Sequence, residues 1–455
     1  MVEVYSYFFN FICVEIPFFL RARTLNHVRI APYLSTLITT GYLITAYSAV
    51  LDYRGSVPYS VIPEQDSKPL VVLAINGKAI KKSVQMNNLH IGLLLPSSSI
   101  LPLSKDFEKG LKDGFSNHAS TKFSIELTKE FTGQGGLKQT EDAVVKMFQY
   151  DDVDLITGIL SNRVSEGVAA KFESKQKVLL MNNLGEYIPD PKKLNEFVFH
   201  NSIGLWRHAW SLGHWGVKTL GKKGMFVASV YDAGYSFSQM FYNGMKAADP
   251  ASEWSFCVPP LINNRELSDM NILFAHMEQN QPDFVFAVFC GKETTIFLNE
   301  FIARGWHKRT QLLGLPFLLL PFEPLQEDMT IYTTHQDSGE PAHTHSAAQS
   351  NFYQMGYQTA SSLAIAAEHI DDRGDLPKAL MQSNQNLVRN EANFLNHNSM
   401  DADSLTIIKN EIKAGEKIIT KEPVATVGTF SLKDESLLTL NEEITIGWMN
   451  PYLCV

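Results

Sequence analysis

The pattern of apolar and polar residues along this chain predicts short buried strands separated by amphipathic helices. In the clearest stretch, the apolar run Leu155–Thr157 is followed by Ser161 and Asn162, whose side-chain oxygens suit the start of a helix. Apolar residues then recur at helical spacing until a second apolar run, Val178–Met181. Two apolar runs joined by a helix-length segment predict a parallel β-α-β crossover.

Small polar residues follow both runs of this crossover. Ser161 and Asn162 follow the first run, and Asn182 and Asn183 follow the second. Ligands of open α/β sheets bind beyond the carboxyl ends of the strands. These four residues are therefore candidates for contacting a ligand, with loop solvation or core packing as the alternative.

An earlier apolar run ends in a serine-rich loop. Leu89–Leu95 predicts a buried strand, and Ser97, Ser98 and Ser99 follow it. Hydroxyl and backbone N–H groups in such a loop can face an anion or a carboxylate. A solvated turn is the alternative interpretation of these serines.

A second run of alternating strands and helices follows the first. Its predicted strands are Phe197–His200, Gly224–Val230, Trp254–Val258, Phe284–Phe289 and Gln311–Gly314. Trp206, Tyr235, Phe289 and Cys290 lie next to the ends of these predicted elements. These four residues form a second group of ligand candidates, with core packing again as the alternative.

After the second run the pattern loosens. Met329–Thr333 predicts a strand that returns to the first domain, and Phe352–His369 predicts a long helix. Residues 371–415 are polar and rich in asparagine. Val424–Phe430 and Ile444–Trp448 predict two closing strands.

Residues 1–52 differ in composition from the rest of the chain. Ile30–Leu51 carries no charge, is long enough to span a bilayer, and follows several basic residues. This pattern is typical of a secretory signal or of an uncleaved membrane anchor, and an extension without function is the third interpretation. Residues 53–87 predict a tether with a hairpin at Asn76 and Gly77, a pair that suits a two-residue turn.

Composition narrows the class of protein. A chain of 455 residues is too long for one compact core, so two domains are expected. Hydrophobic residues make up 45% and charged residues 19%, which is typical of a globular protein. The net charge of −9 argues against a nucleic-acid partner, because phosphate binding needs a basic surface. The four cysteines are far apart and indicate neither a zinc site nor a disulfide framework.

The chain has no motif that indicates catalysis. Neither a G-x-S-x-G nor an H-E-x-x-H motif occurs, so we predict that the protein is not an enzyme and needs no cofactor. His335, His343 and His345 are the best candidates for holding a metal ion. Their surroundings predict a solvated loop, and we assign no metal site there.

Several stretches, taken in order, resemble the bilobed type I periplasmic ligand-binding proteins, especially those of branched-chain amino acid transporters. The resemblance extends from Leu89 to about Trp448. It rests on IGLLLPSSS with KDFEKGLKDGF, VDLITGILSNRVSEGVAAKFESKQKVLLMNN, GMFVASVYDAGYSFSQMFYNGMKA, PDFVFAVFCGKETTIFLNEFIARGW and GYQTASSLAIAAE. No single stretch is specific by itself, so their order carries the resemblance.

This resemblance implies an α/β fold of two Rossmann-like lobes joined by a three-strand hinge, preceded here by the apolar N-terminal extension. The first lobe would comprise residues 88–201 and 329–432, and the second lobe residues 202–328 and 433–455. The hinge strands would cross near His200–Ser202, Glu327–Met329 and Leu432–Asp434.

The resemblance also implies roles for particular residues. Ser161 matches the serine that hydrogen-bonds the ligand carboxylate in this family, and Tyr235 matches an aromatic residue that lines the cleft. Asn182 and Asn183 lie in the family's second contact loop, although the usual Ser/Ala/Thr pattern is absent. Phe289 lies where the family often has aromatic residues.

One departure from the family concerns the ligand's ammonium group. Amino-acid binders carry an acidic residue at the positions of Gly314–Phe317, and this chain has none. An unpaired buried ammonium costs several kcal/mol, so a plain amino acid would require Glu186, Asp232 or Glu293 as a substitute.

The resemblance implies capture of a small polar or amphiphilic molecule, such as an amino acid, an amide or a small carboxylate. Capture would occur between two closing lobes in the periplasm, or elsewhere outside the cytoplasm, for the permease of an ABC transporter. The alternatives are a membrane-tethered ligand sensor and an interaction protein with a degenerate cleft.

Overall fold

The computed structural model describes residues 87–98, 102–118, 123–262, 267–319, 324–335, 350–370, 373–386, 395–396, 404–416 and 419–428, together with short strands before residue 87. The chain forms two compact units, Met1–Asn87 and Asn88–Val455.

The described strands of the first unit are β1 (Arg29–Ala31), β2 (Thr39–Thr40), β3 (Leu43–Ile44), β4 (Val50–Asp52), β5 (Tyr59–Pro63), β6 (Pro69–Ile75) and β7 (Lys78–Ser83). β6 and β7 pair antiparallel with Ile75 opposite Lys78, which is the register of a hairpin with a two-residue turn. The rest of the signal or anchor predicted over residues 1–52 lies outside the described residues.

Two groups of strands follow. They are β8 (Asn87–Leu95), β9 (Phe123–Phe131), β10 (Leu155–Ile159), β11 (Val178–Asn183), β12 (Val198–Ser202), β13 (Lys223–Ala228), β14 (Glu253–Cys257), β15 (Phe284–Val288), β16 (Gln311–Gly314), β17 (Met329–His335), β18 (Leu395–Asn396), β19 (Ser404–Ile412) and β20 (Ile419–Gly428).

The described helices connect and cover these strands. They are α1 (Leu103–Asn117), α2 (Leu137–Gln149), α3 (Asn162–Lys175), α4 (Leu205–Thr219), α5 (Phe237–Ala248), α6 (Met270–Asn280), α7 (Lys292–Ala303), α8 (Asn351–Glu368) and α9 (Leu376–Asn386), with 3-10 turns at Pro191–Lys193, Trp306–Lys308, Pro316–Leu319 and Arg373–Asp375. No described helix is both long and apolar enough to cross a membrane.

The first sheet has the strand order β18-β12-β11-β10-β8-β9. β10 and β11 run parallel, with Leu155 opposite Val178, and α3 connects them. The predicted β-α-β crossover is therefore confirmed. Every residue of β10 and β11 is buried, because helices cover both faces of a parallel sheet.

The second sheet has the order β14-β13-β15-β16-β17-β19-β20. Its first five strands are parallel, while β19 runs antiparallel to both β17 and β20. The prediction that Met329–Thr333 returns to the first domain is wrong, because β17 pairs with β16 in this sheet. The apolar alternation identified a strand but carried no information about its partner.

The same correction applies to most strands in the range 329–432 that was assigned to the first lobe. β19 and β20 belong to the second sheet, whereas α8 packs against α1 and β18 pairs with β12 of the first sheet. The predicted strand at Val424–Phe430 is found as β20, and Ile444–Trp448 lies outside the described residues.

The chain passes three times between the sheets over its described course: after β12, between β17 and α8, and between β18 and β19. The first passage agrees with the crossing predicted near His200–Ser202. The crossing predicted near Glu327–Met329 is wrong, since β17 continues in the second sheet to His335. The one predicted near Leu432–Asp434 lies outside the described residues.

Each large sheet, together with the helices that pack on it, is here called a lobe, the first lobe with the first sheet and the second lobe with the second sheet. Paired glycines let two helices approach closely in each lobe. In the first lobe, a Cβ at Gly110 would clash with the carbonyl of Tyr353, and one at Gly356 with the carbonyl of Phe107. In the second lobe, Gly213 and Gly244 play the same part between α4 and α5. Backbone therefore packs on backbone in both helix pairs.

Candidate ligand-binding site

Ser161 lies at the carboxyl end of β10 and begins α3. Its side chain is fully buried, and its Oγ accepts a hydrogen bond from the N–H of Val164 at 3.3 Å. The predicted helix cap is confirmed. The free N–H groups of a helix start attract negative charge, so this edge of the first sheet suits a carboxylate.

Asn182 is fully buried, and its partners among the described residues all belong to the first lobe. Its Nδ2 donates to the carbonyls of Gly158 and Leu180 at 3.1 and 3.2 Å, while its Oδ1 accepts from Asn201 and Thr359 at 2.9 Å each. The side chain, which belongs to β11, thus links this strand to β10, β12 and α8. Its predicted contact with a ligand stays a prediction.

Asn183 and Asn162 are joined by their amides. Asn183 Nδ2 donates to Asn162 Oδ1 at 2.9 Å, and Asn183 Oδ1 accepts from the Gly185 N–H at 2.9 Å and from Ser202 Oγ at 2.7 Å. Asn162 Nδ2 donates to the carbonyl of Tyr187 at 2.6 Å. Both amides therefore shape the chain that follows β11.

That chain, residues 184–187, is here called the bridging segment, because each of its residues bonds the second lobe. Its first half meets the start of α4: the carbonyls of Leu184 and Gly185 accept from the N–H groups of Leu205 and Trp206 at 2.8 and 2.9 Å. The Trp206 side chain is buried. The first half of the bridging segment thus satisfies the first N–H groups of a second-lobe helix.

The second half of the bridging segment reaches the loop between β13 and α5. The carbonyl of Glu186 accepts from the Ser236 N–H at 3.0 Å, and Tyr187 Oη donates to the carbonyl of Gly234 at 2.9 Å. The rings of Tyr187 and Tyr235 meet edge to face, with centroids 5.6 Å apart. Two loops from opposite lobes therefore touch beside the predicted site.

Positive charge lies next to this contact. The guanidinium of Arg163, in the first turn of α3, stands 4.1 Å from the centroid of the Tyr187 ring. Burial raises the pKa of Tyr187, and the carboxylate of Glu186 raises it further, against the opposing effect of Arg163. The Tyr187 hydroxyl therefore remains a protonated donor.

Phe289 and Cys290 lie at the end of β15. The Phe289 ring is fully buried and stacks on Phe297 with centroids 4.6 Å apart, as part of the second lobe's core. Cys290 is a buried free thiol, and its backbone bonds the carboxylate of Asp232. The contacts of Phe289 are those of a core residue, which was the alternative to ligand contact in the sequence.

The serine loop lies after β8. Ser97 is exposed, and both its N–H and its Oγ donate to the carbonyl of Gly133, at 2.6 and 2.9 Å. Ser98 is half-buried, and Ser99 lies outside the described residues. These two hydrogen bonds hold the serine loop against the turn that follows β9.

Asp232 is a buried carboxyl beside the bridging contact. Burial raises its pKa to about 7, and the neighbouring Glu293 acts in the same direction. Donation from Ser229 Oγ at 2.8 Å and from the Cys290 backbone opposes this rise. Asp232 therefore changes its charge near neutral pH.

His208, in α4, links the first passage between the sheets to β17. Its Nε2 lies 3.2 Å from the carbonyl of Ile203, and its Nδ1 lies 2.8 Å from Thr334 Oγ1. Burial and the adjacent Arg207 lower its pKa to about 3, so the ring is neutral. Nε2 must then donate to Ile203, and Nδ1 accepts from Thr334.

Two further features lie away from this site. A cavity of about 340 Å³ lies at the amino-terminal ends of β16 and β17, opposite the strand ends that reach the bridging segment. Of the three candidate metal ligands, His335 is exposed at the end of β17, and His343 and His345 lie outside the described residues. Among the described residues, no three His, Cys, Asp or Glu side chains are grouped as a metal site.

The sequence between residues 89 and 333 matches the model of the periplasmic binding protein family. This chain belongs to that family. The resemblance inferred from the sequence is confirmed, and members of the family are solute-binding proteins rather than enzymes.

Solved structures with the same fold include other periplasmic binding proteins. An ABC transporter substrate-binding protein from Sphaerobacter thermophilus is 16% identical, with a TM-score of 0.56 over 76% of this chain and 99% of its own. A Rhodopseudomonas palustris solute-binding protein in complex with 4-hydroxybenzoate is 11% identical, with a TM-score of 0.58 over 75% and 98%. LivJ from Streptococcus pneumoniae, in complex with isoleucine, is 12% identical, with a TM-score of 0.51 over 74% and 99%. No curated protein matches the sequence significantly.

Sequence reasoning missed that Tyr187 and Arg163 lie at the contact between the two lobes of this periplasmic binding protein. Both lie in the stretches that follow predicted strands, Arg163 next to Asn162 and Tyr187 next to Glu186. An aromatic residue and a cation at two neighbouring strand ends were the available signal. Which way they face depends on the loop conformation, which the sequence pattern does not give.

Proposed function

We propose that this periplasmic binding protein captures a small carboxylate with an apolar or aromatic body between its two lobes, outside the cytoplasm, for an ABC importer. The observation that carries the proposal is the contact of Tyr187 from the first lobe with Tyr235 from the second, beside the start of α3. Solute capture in this manner shifts an equilibrium between open and closed lobes.

The carboxylate end of the ligand is assigned to the first lobe. Ser161 caps α3 there, so the positive end of that helix faces the strand edge. Arg163 adds a full positive charge within the first turn. A guanidinium forms two parallel hydrogen bonds with a carboxylate, which gives both affinity and orientation.

The apolar end of the ligand is assigned to the ring side chains. Tyr187 and Tyr235 meet edge to face, and Trp206 lies at the start of α4 next to the bridging segment. Ring side chains with a few polar groups are the usual lining of a small-molecule site. The relative in complex with 4-hydroxybenzoate supports a ligand with a ring and a carboxylate.

An aromatic carboxylate is favoured over an amino acid because an acidic partner for an ammonium group is missing at Gly314–Phe317. The relative in complex with isoleucine keeps amino acids as the second candidate. Asp232 and Glu293, both buried in the second lobe, are the carboxyl groups that would then take the ammonium.

A thermal-shift panel tests the proposal with benzoate, 4-hydroxybenzoate, benzamide, leucine and isoleucine. We expect the two aromatic acids to raise the melting temperature in a concentration-dependent way, because binding at 100 times Kd stabilises by about 2.7 kcal/mol. Benzamide is the matched control for the carboxylate and should have a smaller effect. A response to the amino acids alone would select the second candidate, and no response to any compound would contradict the proposal.

A further inference from the structure

We propose that Tyr187 is a positioning residue that ties the two lobes in the closed state and completes the wall of the ligand site, an inference that rests on the proposed function. The bridging segment has two attachments to the second lobe, and they differ in where they lie. Leu184 and Gly185 bond the start of α4, directly after the first passage between the sheets. Glu186 and Tyr187 bond the loop at residues 234–236, across the site.

These two attachments respond differently when the lobes separate. Leu205 and Trp206 follow Ser202 by only three and four residues, so the bonds from Leu184 and Gly185 lie at the hinge and move little. The loop at residues 234–236 lies beyond α4 and β13. A rotation at the hinge therefore breaks the bonds of Glu186 and Tyr187 first.

Hydrogen bonds within the first lobe position Tyr187 for this contact. The chain of bonds runs from Ser202 Oγ to Asn183 Oδ1 at 2.7 Å, from Asn183 Nδ2 to Asn162 Oδ1 at 2.9 Å, and from Asn162 Nδ2 to the Tyr187 carbonyl at 2.6 Å. The amides that the sequence assigned to the ligand thus connect the hinge to Tyr187. This gives Asn162 and Asn183 a supporting part in closure.

Both the hydroxyl and the ring of Tyr187 make contacts. Its hydroxyl donates to the Gly234 carbonyl at 2.9 Å, and its ring lies between the Arg163 guanidinium and the Tyr235 ring. A ligand held at the start of α3 would lie beside this ring, and the second lobe reaches the same residue through Gly234 and Tyr235. Tyr187 would therefore contact both the ligand and the second lobe.

The substitution Tyr187→Phe tests the tie, because it removes the hydroxyl and keeps the ring. We expect the ligand-free variant to have a larger radius of gyration by small-angle X-ray scattering. A lost hydroxyl bond corresponds to about a fivefold shift of the equilibrium toward the open form and about a fivefold weaker affinity for 4-hydroxybenzoate. Tyr353→Phe is the matched control, since its hydroxyl donates to Asp113 at 2.8 Å within the first lobe.

Amide hydrogen exchange provides a second readout in the same protein. In Tyr187→Phe, exchange at the Ser236 amide should accelerate about fivefold, while the Leu205 and Trp206 amides keep their rates. Unchanged scattering and unchanged Ser236 exchange would overturn the inference, as would equal changes in Tyr353→Phe. Neither readout needs a ligand, so failure of the wild type to bind any compound would refute the proposed function separately.

Discussion

Asp232 is the residue at which burial has the clearest chemical consequence. Its carboxyl is enclosed by Ser229, Glu293 and the backbone of Cys290, and burial raises its pKa to about 7. Asn182 and Asn183 are the contrasting case, because their amides form hydrogen bonds at both ends. Buried polar groups of these two kinds lie around the proposed site, and Asp232 is the one whose charge changes near neutral pH when compared with the two asparagines.

Asp232→Asn should change how stability depends on pH. The ordinary pKa of an aspartate is about 3.8 and the folded value is about 7, so between these values the folded protein holds a proton that the unfolded chain has released. The free energy of unfolding contributed by Asp232 is therefore fully present below pH 4 and is lost as the pH rises through 7. The variant should remove this loss, which is at most about 1.4 kcal/mol per pH unit.

Urea denaturation at pH 5 and pH 7.5 measures this effect. The difference in unfolding free energy between the two pH values should be smaller in Asp232→Asn than in the wild type. Asp142→Asn, on the surface beside Lys138, serves as the control. Identical pH dependence in Asp232→Asn and the wild type would contradict the expected role of burial.

At the scale of elements, the bridging segment and the two glycine-packed helix pairs decide the architecture around the site. α3 and the bridging segment follow neighbouring parallel strands, so Ser161 and Tyr187 share one edge of the first sheet. Behind that sheet, α1 and α8 approach so closely that their glycines face carbonyl groups. The returning helix α8 thereby fixes the first lobe after the chain has visited the second.

Gly356→Ala should destabilise the protein through this helix contact. The added methyl group would clash with the Phe107 carbonyl and lie 2.8 Å from the Leu111 nitrogen, and both are backbone atoms that cannot turn away. We expect a loss of about 3 kcal/mol in unfolding free energy, the upper range for overpacking. Denaturant unfolding measures it directly.

Gly167→Ala is the matched control for this substitution. Gly167 is an exposed helical glycine whose added methyl group would meet only the end of the flexible Leu137 side chain. Alanine is the better helix former by about 1 kcal/mol, so this variant should be neutral or slightly more stable. Equal losses in both variants would show that close helix approach is not the cause.

At the scale of the whole molecule, the two large sheets are joined by the chain passing between them three times over its described course. Gly204 lies in the first passage with φ of +69°, directly between β12 and α4. Its amide donates to Ser202 Oγ at 3.1 Å, which connects it to the bonds that support Tyr187. Hydrogen bonds through Ser202 and Asn183 therefore connect the first passage to the bridging segment.

Gly204→Ala should weaken the protein at the first passage between the sheets. A positive φ costs an alanine about 1 kcal/mol, and the new methyl group would also lie 2.6 Å from the Arg207 guanidinium. We expect a loss of about 2 kcal/mol in unfolding free energy and a changed radius of gyration of the ligand-free protein. Gly305→Ala is the control, since φ is +71° and no atom lies within 4 Å of its added methyl group.

A loss in Gly305→Ala as large as that in Gly204→Ala would assign the whole effect to backbone strain. The contribution of the first passage would then be excluded. Scattering that changes only in Gly204→Ala would support a role of this glycine in lobe movement.

The sequence by itself determined the local elements of this periplasmic binding protein. Apolar spacing and the Ser161 cap gave the crossover of β10, α3 and β11, and the order of several such units gave the family. These features depend on residues close together in the chain, where side-chain period and helix capping act directly.

The tertiary structure alone decided which distant segments meet. β17 reads as a strand, but its place beside β16 and β19 depends on a pairing partner that spacing cannot identify. Asn183 looks like a ligand contact in the sequence, yet Ser202 and Gly185 satisfy it, and Tyr187 meets Gly234 of the other lobe. Hydrogen-bond partners and sheet neighbours are chosen by the folded arrangement as a whole, because a polar side chain bonds whatever group burial places beside it.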